Sequence, residues 1–163
     1  MRAYLDVLRL IHDRLQDSGV PWAITGSVGF ALQGVPAEPH DIDLQTDAVG
    51  AYEIERRLAE FVTQEVAFSS TDRIRSYFGA LTIDGIRVEI MGDIQKRRED
   101  GSWEPSPALE EQRRFVEVEG MRIPVLSLEY EYQAYLKMGR IERARMLRQW
   151  LDAGGCPNGK RPL

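Results

Sequence analysis

Asp41 and Asp43 stand one residue apart in Asp41-Ile42-Asp43-Leu44, and they follow the pair Gly26-Ser27 with residues 28–40 between. On an extended strand, residues i and i+2 face the same side, so both carboxylates look one way while Ile42 and Leu44 look the other. Two carboxylates this close repel each other unless a cation lies between them. Magnesium takes oxygen ligands and is typically held by one or two carboxylates together with substrate phosphates. Gly26-Ser27 is a candidate cradle for those phosphates. A turn that presents backbone N–H groups ahead of a helix start attracts anions, Gly26 lets a phosphate come close to the backbone, and the Ser27 hydroxyl can donate to a phosphate oxygen. Each fragment alone has a plainer explanation: a tight turn with Ser27 as helix cap, or two solvated carboxylates on a strand face. Together they point to metal-assisted phosphoryl chemistry.

Two-metal phosphoryl chemistry usually needs a third carboxylate. Glu89 is the candidate. Asp84-Gly85 between Tyr77–Ile83 and Ile86–Met91 is a strong two-residue hairpin signal, and direct pairing across that turn sets small Ala80 opposite Glu89, leaving room for an ion. Asp93 competes for the role but is expected past the strand end. Arg73 and Arg75 precede the hairpin within reach of a triphosphate. Lys96-Arg97-Arg98 reads as a solvated charge run, and Trp103 as a loop anchor or a surface on which a base stacks.

The elements that position these residues follow from periodicity. Leu5, Leu8, Ile11, His12 and Leu15 fall near one face of a helix expected over residues 2–18, ended by Gly19 and Pro21. Trp22–Thr25 reads as a buried strand, Val28–Gln33 as a short helix closed by Gly34, and Asp41–Thr46 as a second strand. Asp47 caps a helix from Ala48 to about Phe61, with Tyr52, Leu58 and Phe61 turned inward. Beyond the Asp84-Gly85 hairpin, residues 92–112 read as a polar loop or lid, and a second hairpin turns at Glu119-Gly120. Ser127 caps a helix with Glu129 and Glu131 in its first turn; Gly139 interrupts it, and a last helix runs to about Leu151.

The chain has 163 residues and a net charge of −5. That length suits one domain, here spanning 1–163 with a core over about 5–92, a lid over 93–112, a C-terminal hairpin and helices over 113–152, and a mobile tail over 153–163. The acidic balance argues against capture of nucleic acid by the whole surface. Cys156 is the single cysteine, so no intrachain disulfide forms and a cytoplasmic location is expected. No segment approaches the apolar length of a membrane span.

The order strand, Gly-Ser turn, helix, Asp-x-Asp strand, then a strand carboxylate resembles the nucleotidyltransferase superfamily of the DNA polymerase beta type. The likeness is greatest to its small bacterial members: the minimal, aminoglycoside and lincosamide nucleotidyltransferases and the abortive-infection toxin relatives. It covers about residues 5–92 and, more loosely, Pro124 to Glu129 and the helix with Lys137. The resemblance implies an α+β fold, a mixed sheet flanked by helices, and transfer of a nucleoside monophosphate from a nucleoside triphosphate to an acceptor hydroxyl with release of pyrophosphate. It implies Mg2+ (or Mn2+) on Asp41, Asp43 and Glu89, where Glu89 binds metal or activates the acceptor hydroxyl, with the β- and γ-phosphates on Gly26 and Ser27 and also facing Lys137. Two departures stand out. Glu38-Pro39-His40 replaces the basic residue and threonine common before Asp-x-Asp, and Arg140-Ile141-Glu142-Arg143-Ala144-Arg145 replaces a Lys-Asp-x-x-Asp run. The acceptor, whether a small molecule, a tRNA end or a protein hydroxyl, has no motif. An inactive nucleotide-binding module or toxin–antitoxin component is the alternative reading.

Overall fold

A computed structural model describes residues 1–154; Cys156 and the tail from residue 155 lie outside the described residues. The fold is α+β, built on one seven-stranded mixed sheet. Its strands are β1 (Trp22–Thr25), β2 (Ile42–Thr46), β3 (Val62–Ser70), β4 (Ile74–Ile83), β5 (Ile86–Lys96), β6 (Arg113–Val118) and β7 (Met121–Leu126), in the order β3-β4-β5-β2-β1-β7-β6. β2 runs antiparallel to β1 and parallel to β5, and β1 runs parallel to β7. Among the described residues six helices flank it: α1 (Arg2–Leu15), α2 (Gly26–Leu32), α3 (Ala48–Arg57), α4 (Leu109–Gln112), α5 (Leu128–Lys137) and α6 (Ile141–Asp152).

Alternation along the central strands decides which face is core. Ile42 and Leu44 of β2 and Val88 and Ile90 of β5 are fully buried, and they cluster with Leu8, Ile11 and Leu15 of α1 and with Ala51, Ile54 and Leu58 beneath α3. Burying each large aliphatic side chain contributes about 1.5–3 kcal/mol, so this cluster fixes the strand register; a slip of one residue would turn Asp43 inward. A second cluster joins Phe30 and Val35, in and after α2, to Leu128 and Tyr135 of α5 and Ala144, Leu147 and Trp150 of α6. The C-terminal helices are thereby clamped onto the helix that follows the Gly-Ser turn.

Both hairpin turns behave as their residues require. Asp84 and Gly85, and Glu119 and Gly120, have positive φ throughout, the conformation of a type I′ turn. Several expected boundaries shift. α1 stops at Leu15, and α3 stops at Arg57, followed by a 3-10 turn over Ala59–Phe61. Tyr52 is exposed rather than inward, because the buried stripe of α3 is Ala51, Ile54 and Leu58 and Tyr52 lies about 100° from Ala51. It packs edge-on against Tyr77 instead. The segment expected to be loop from Gly92 continues as strand to Lys96, because pairing persists from Tyr77↔Gly92 to Ile74↔Lys96. Asp93 therefore lies inside β5, at an irregularity where its φ is +49°. Arg97 bridges Trp103, and α4 closes the remainder of the expected lid.

Candidate active site

One row of paired residues crosses four strands on the face away from the main core. Thr25 of β1 pairs with Asp43 of β2, Asp43 with Glu89 of β5, and Glu89 with Ala80 of β4. Asp43 and Glu89 are therefore direct neighbours on adjacent parallel strands. Asp41 precedes β2 by one residue and lies half-exposed at the end of the row. Ala80 faces Glu89 as the hairpin register predicts.

Gly26 begins α2 with φ +67°, a left-handed conformation open to glycine at little cost. A Cβ there would fall 2.5 Å from Asp43 Oδ2, so the absent side chain is what allows the Asp43 carboxylate to lie against the turn. The helix starts two residues earlier than expected, and Ser27 lies within it rather than capping it. The buried Ser27 oxygen accepts the His40 backbone N–H at 3.0 Å.

The charges on this face are unbalanced. The Asp43 carboxyl is pushed up to about 7, first by burial and then by the negative charges of Glu89, Asp41 and Glu131, with Arg143 opposing. Arg87 pairs with the other two members of the trio. Its Nε lies 2.9 Å from Glu89 Oε1 and 3.9 Å from Asp41 Oδ2. Among the described residues no three acidic, histidine or cysteine side chains are close enough to hold an ion as they stand. The donor set nevertheless suits a hard cation. It is all oxygen, and the negative charges of Glu89, Asp41 and Glu131, which add to burial in raising Asp43, are ones that a divalent ion would offset.

Residues 7–148 match the sequence profile of the aminoglycoside-2''-adenylyltransferase family. The chain belongs to that family. It is a nucleotidyltransferase by that membership, and a candidate nucleotidyltransferase from Thermotoga maritima is 64% identical to it, with a TM-score of 0.84 over 93% of this chain and 94% of the other. More distant solved structures share the fold. ANT(2'')-Ia in complex with adenylyl-2''-tobramycin has 14% identity and a TM-score of 0.59, over 91% of this chain and 90% of the other. The lincomycin-bound lincosamide adenylyltransferase LnuA has 15% identity and a TM-score of 0.58, over 86% and 94%. No curated protein sequence matches the chain.

In this nucleotidyltransferase the most deeply placed acid of the site is one that sequence reasoning left at a helix start. Glu131 is 5% exposed. Its Oε1 accepts the Thr25 hydroxyl and the Gly26 backbone N–H, the latter at 3.3 Å. Burial raises its pKa, while these two donors and the charge of Lys96 pull it back. One signal was available: Leu128, Glu131, Ala134 and Tyr135 recur at helical spacing, so Glu131 is a carboxylate inside an apolar stripe.

The other expected binders have local partners. Lys137 at the end of α5 lies 3.5 Å from Glu104. Arg75 donates to Gln95 at 2.8 Å and stacks over Trp103, 4.4 Å from the ring centre. Arg75 and Arg97 both lie against the Trp103 ring, which so anchors its loop. Lys96, expected in a solvated run, ends β5 half-buried beside Glu131. No helix among the described residues is long and apolar enough to cross a membrane.

Proposed function

We propose that this chain transfers a nucleoside monophosphate from a nucleoside triphosphate to an acceptor hydroxyl, releasing pyrophosphate, with Mg2+ (or Mn2+) held by Asp41, Asp43 and Glu89. The observation that carries the reading is the Asp43–Glu89 pair on adjacent strands, with Asp41 beside it and the Asp43 carboxyl lifted to about 7 by burial and by the charges of Glu89 and Asp41. When bound there, a divalent ion would supply Lewis acidity toward the phosphate and the hydroxyl. Asp43, fixed by the core register behind it, sets the position of the reacting phosphate relative to Gly26. The Ser27 hydroxyl, whose oxygen already accepts from His40, has its proton to give to a phosphate oxygen. Lys137 and Arg75 approach the phosphates only by leaving Glu104 and Trp103. The acceptor oxygen bonds to the α-phosphorus, the bond to the β-phosphate bridge breaks, and its electron pair leaves with pyrophosphate. Glu89 takes the hydroxyl proton. Catalysis on this scheme is positioning and electrostatics, with no covalent intermediate on the protein.

The test is label transfer from each α-labelled nucleoside triphosphate, with magnesium or manganese, in the wild type and in Asp41→Asn and Asp43→Asn. Both variants are expected to lose transfer by roughly a hundredfold or more, as removal of a principal electrostatic group does, while their circular dichroism stays that of the wild type. Full transfer in both variants overturns the assignment.

A further inference from the structure

A cavity of about 550 Å3 lies between the 104–112 segment and α5, lined among others by Lys96, Arg98, Glu104, Tyr130, Gln133 and Lys137. That volume is in the range of small-molecule pockets. None of Asp41, Asp43, Glu89, Gly26 and Ser27 lines it, so it is a chamber beside the carboxylate row rather than part of it. Lys96 connects the two. The charge of Glu131, the same carboxylate that accepts from Thr25 and Gly26, acts on the Lys96 ammonium without a direct ion pair.

The lining carries three cations against two carboxylates, Glu104 and Glu111. Lys137 takes up Glu104. Arg98 is spent on Ser102 and the Trp103 carbonyl. Lys96 has no ion-pair partner within the described residues, and burial holds its pKa below the ordinary lysine value, with Glu131 and Glu104 opposing and Lys137 adding to the drop. A half-buried cation without a direct counter-ion is stabilised by an anion brought in with a ligand. Tyr130 keeps its proton, because burial, Glu131 and Glu104 push it up to about 12, so it offers a hydroxyl donor to the same ligand.

We propose that this chamber receives the acceptor, and that the acceptor is a hydroxyl compound bearing an anionic group such as a phosphate or carboxylate, not a polycation. The proposal rests on the transferase reading above. The donor triphosphate has its own candidate cradle at Gly26-Ser27; it shares Lys137 with the chamber only if Lys137 leaves Glu104, and the rest of the chamber stays open to the second substrate. A polycation such as tobramycin, whose adenylyl product is bound by the structural neighbour, would bring its ammonium groups against Lys96 and Arg98, with Lys137 already holding Glu104.

Three titrations of the full chain decide the matter, each with and without a non-hydrolysable triphosphate and manganese. Inorganic phosphate is followed by the amide shifts of Gln133, Ala134 and Lys137; a hexose phosphate and tobramycin are followed by calorimetry. The expected result is phosphate and hexose phosphate binding that persists with the triphosphate present. Lys96→Gln weakens it about tenfold or more, as loss of a charge-assisted hydrogen bond does, and Lys96→Arg restores it. Tobramycin binding tighter than hexose phosphate overturns the proposal. So does displacement of hexose phosphate by the triphosphate, which makes the chamber the donor's phosphate site. Phosphate shifts that do not depend on Lys96 overturn it as well. Failure of the triphosphate itself to bind sinks the transferase reading instead, and the phosphate arm still reports on the chamber.

Discussion

Replacing Asp43 by asparagine should make the metal-free chain more stable at alkaline pH while removing a metal ligand. The ordinary aspartate value is 3.8, and the site lifts Asp43 to about 7. At about 1.4 kcal/mol for each tenfold change in proton affinity, ionising Asp43 costs about 4 kcal/mol more in the folded chain than in the unfolded one. Some solvent reaches the carboxylate, which reduces the figure to about 2–3 kcal/mol. Below about pH 4 the group is protonated in both states and the cost is absent. Between about pH 4 and 7 the unfolded chain releases its proton while the folded chain keeps it, so stability falls through this window. Above about 7 the loss is complete. Urea unfolding in the presence of a chelator, at pH 4.5, 6 and 8, measures it. Asp43→Asn should gain on the wild type as pH rises, by about 2–3 kcal/mol between the ends of the series. Most other titrating groups cancel in that difference. Added manganese should then stabilise the wild type and leave the variant nearly unmoved. A difference that is flat with pH, or a wild type more stable than the variant at pH 8, refutes the electrostatic account of the site.

Two further substitutions probe the turn that holds Asp43. Gly26→Ala places a Cβ in a left-handed backbone and 2.5 Å from Asp43 Oδ2; about 1–2 kcal/mol of backbone strain plus crowding should lower stability by roughly 2–4 kcal/mol in urea, and transfer should fall in molecules that remain folded, because Asp43 must swing away. Wild-type transfer by folded Gly26→Ala would contradict that. Glu131→Ala leaves the Thr25 hydroxyl and the Gly26 N–H buried without their acceptor, at about 1–3 kcal/mol each, whereas Glu131→Gln keeps an accepting carbonyl and should lose much less. Urea melts and hydrogen exchange of the Gly26 amide compare the two, and equal losses would mean that Glu131 acts only by filling space.

The parts of the site set by strand alternation were legible in the sequence. Asp41-Ile42-Asp43-Leu44 announces a strand with one acidic and one apolar face, and Asp84-Gly85 sets the hairpin register, so Ala80 falls opposite Glu89 as read. The parallel pairing of β2 with β5, which puts Asp43 beside Glu89, is a long-range contact that leaves no mark on either segment. Residues in irregular chain were harder to place. Trp103 reads as a loop anchor or a base platform until Arg75 and Arg97 are both seen against its ring. The run Lys96-Arg97-Arg98 reads as solvated because a charge run gives no sign that strand pairing continues through Lys96 and turns one of its members inward.

Glu131 changes what the C-terminal helices are for. Judged by motif alone, α5 and α6 look like an appendage to the catalytic core. Yet the carboxylate that orients Gly26 comes from α5, and α5 is held in place by the cluster of Phe30 and Val35 with Tyr135, Leu147 and Trp150. Phe30 belongs to α2, the helix that Gly26 begins. The turn is therefore fixed from both ends, by a hydrogen-bonded carboxylate at its start and by an apolar clamp one turn later, and both contacts reach the C-terminal half. Loosening α6 should reach Asp43 through this chain: slack at Trp150 frees α5, α5 carries Glu131, and Glu131 sets the Gly26 backbone on which the Asp43 carboxylate rests.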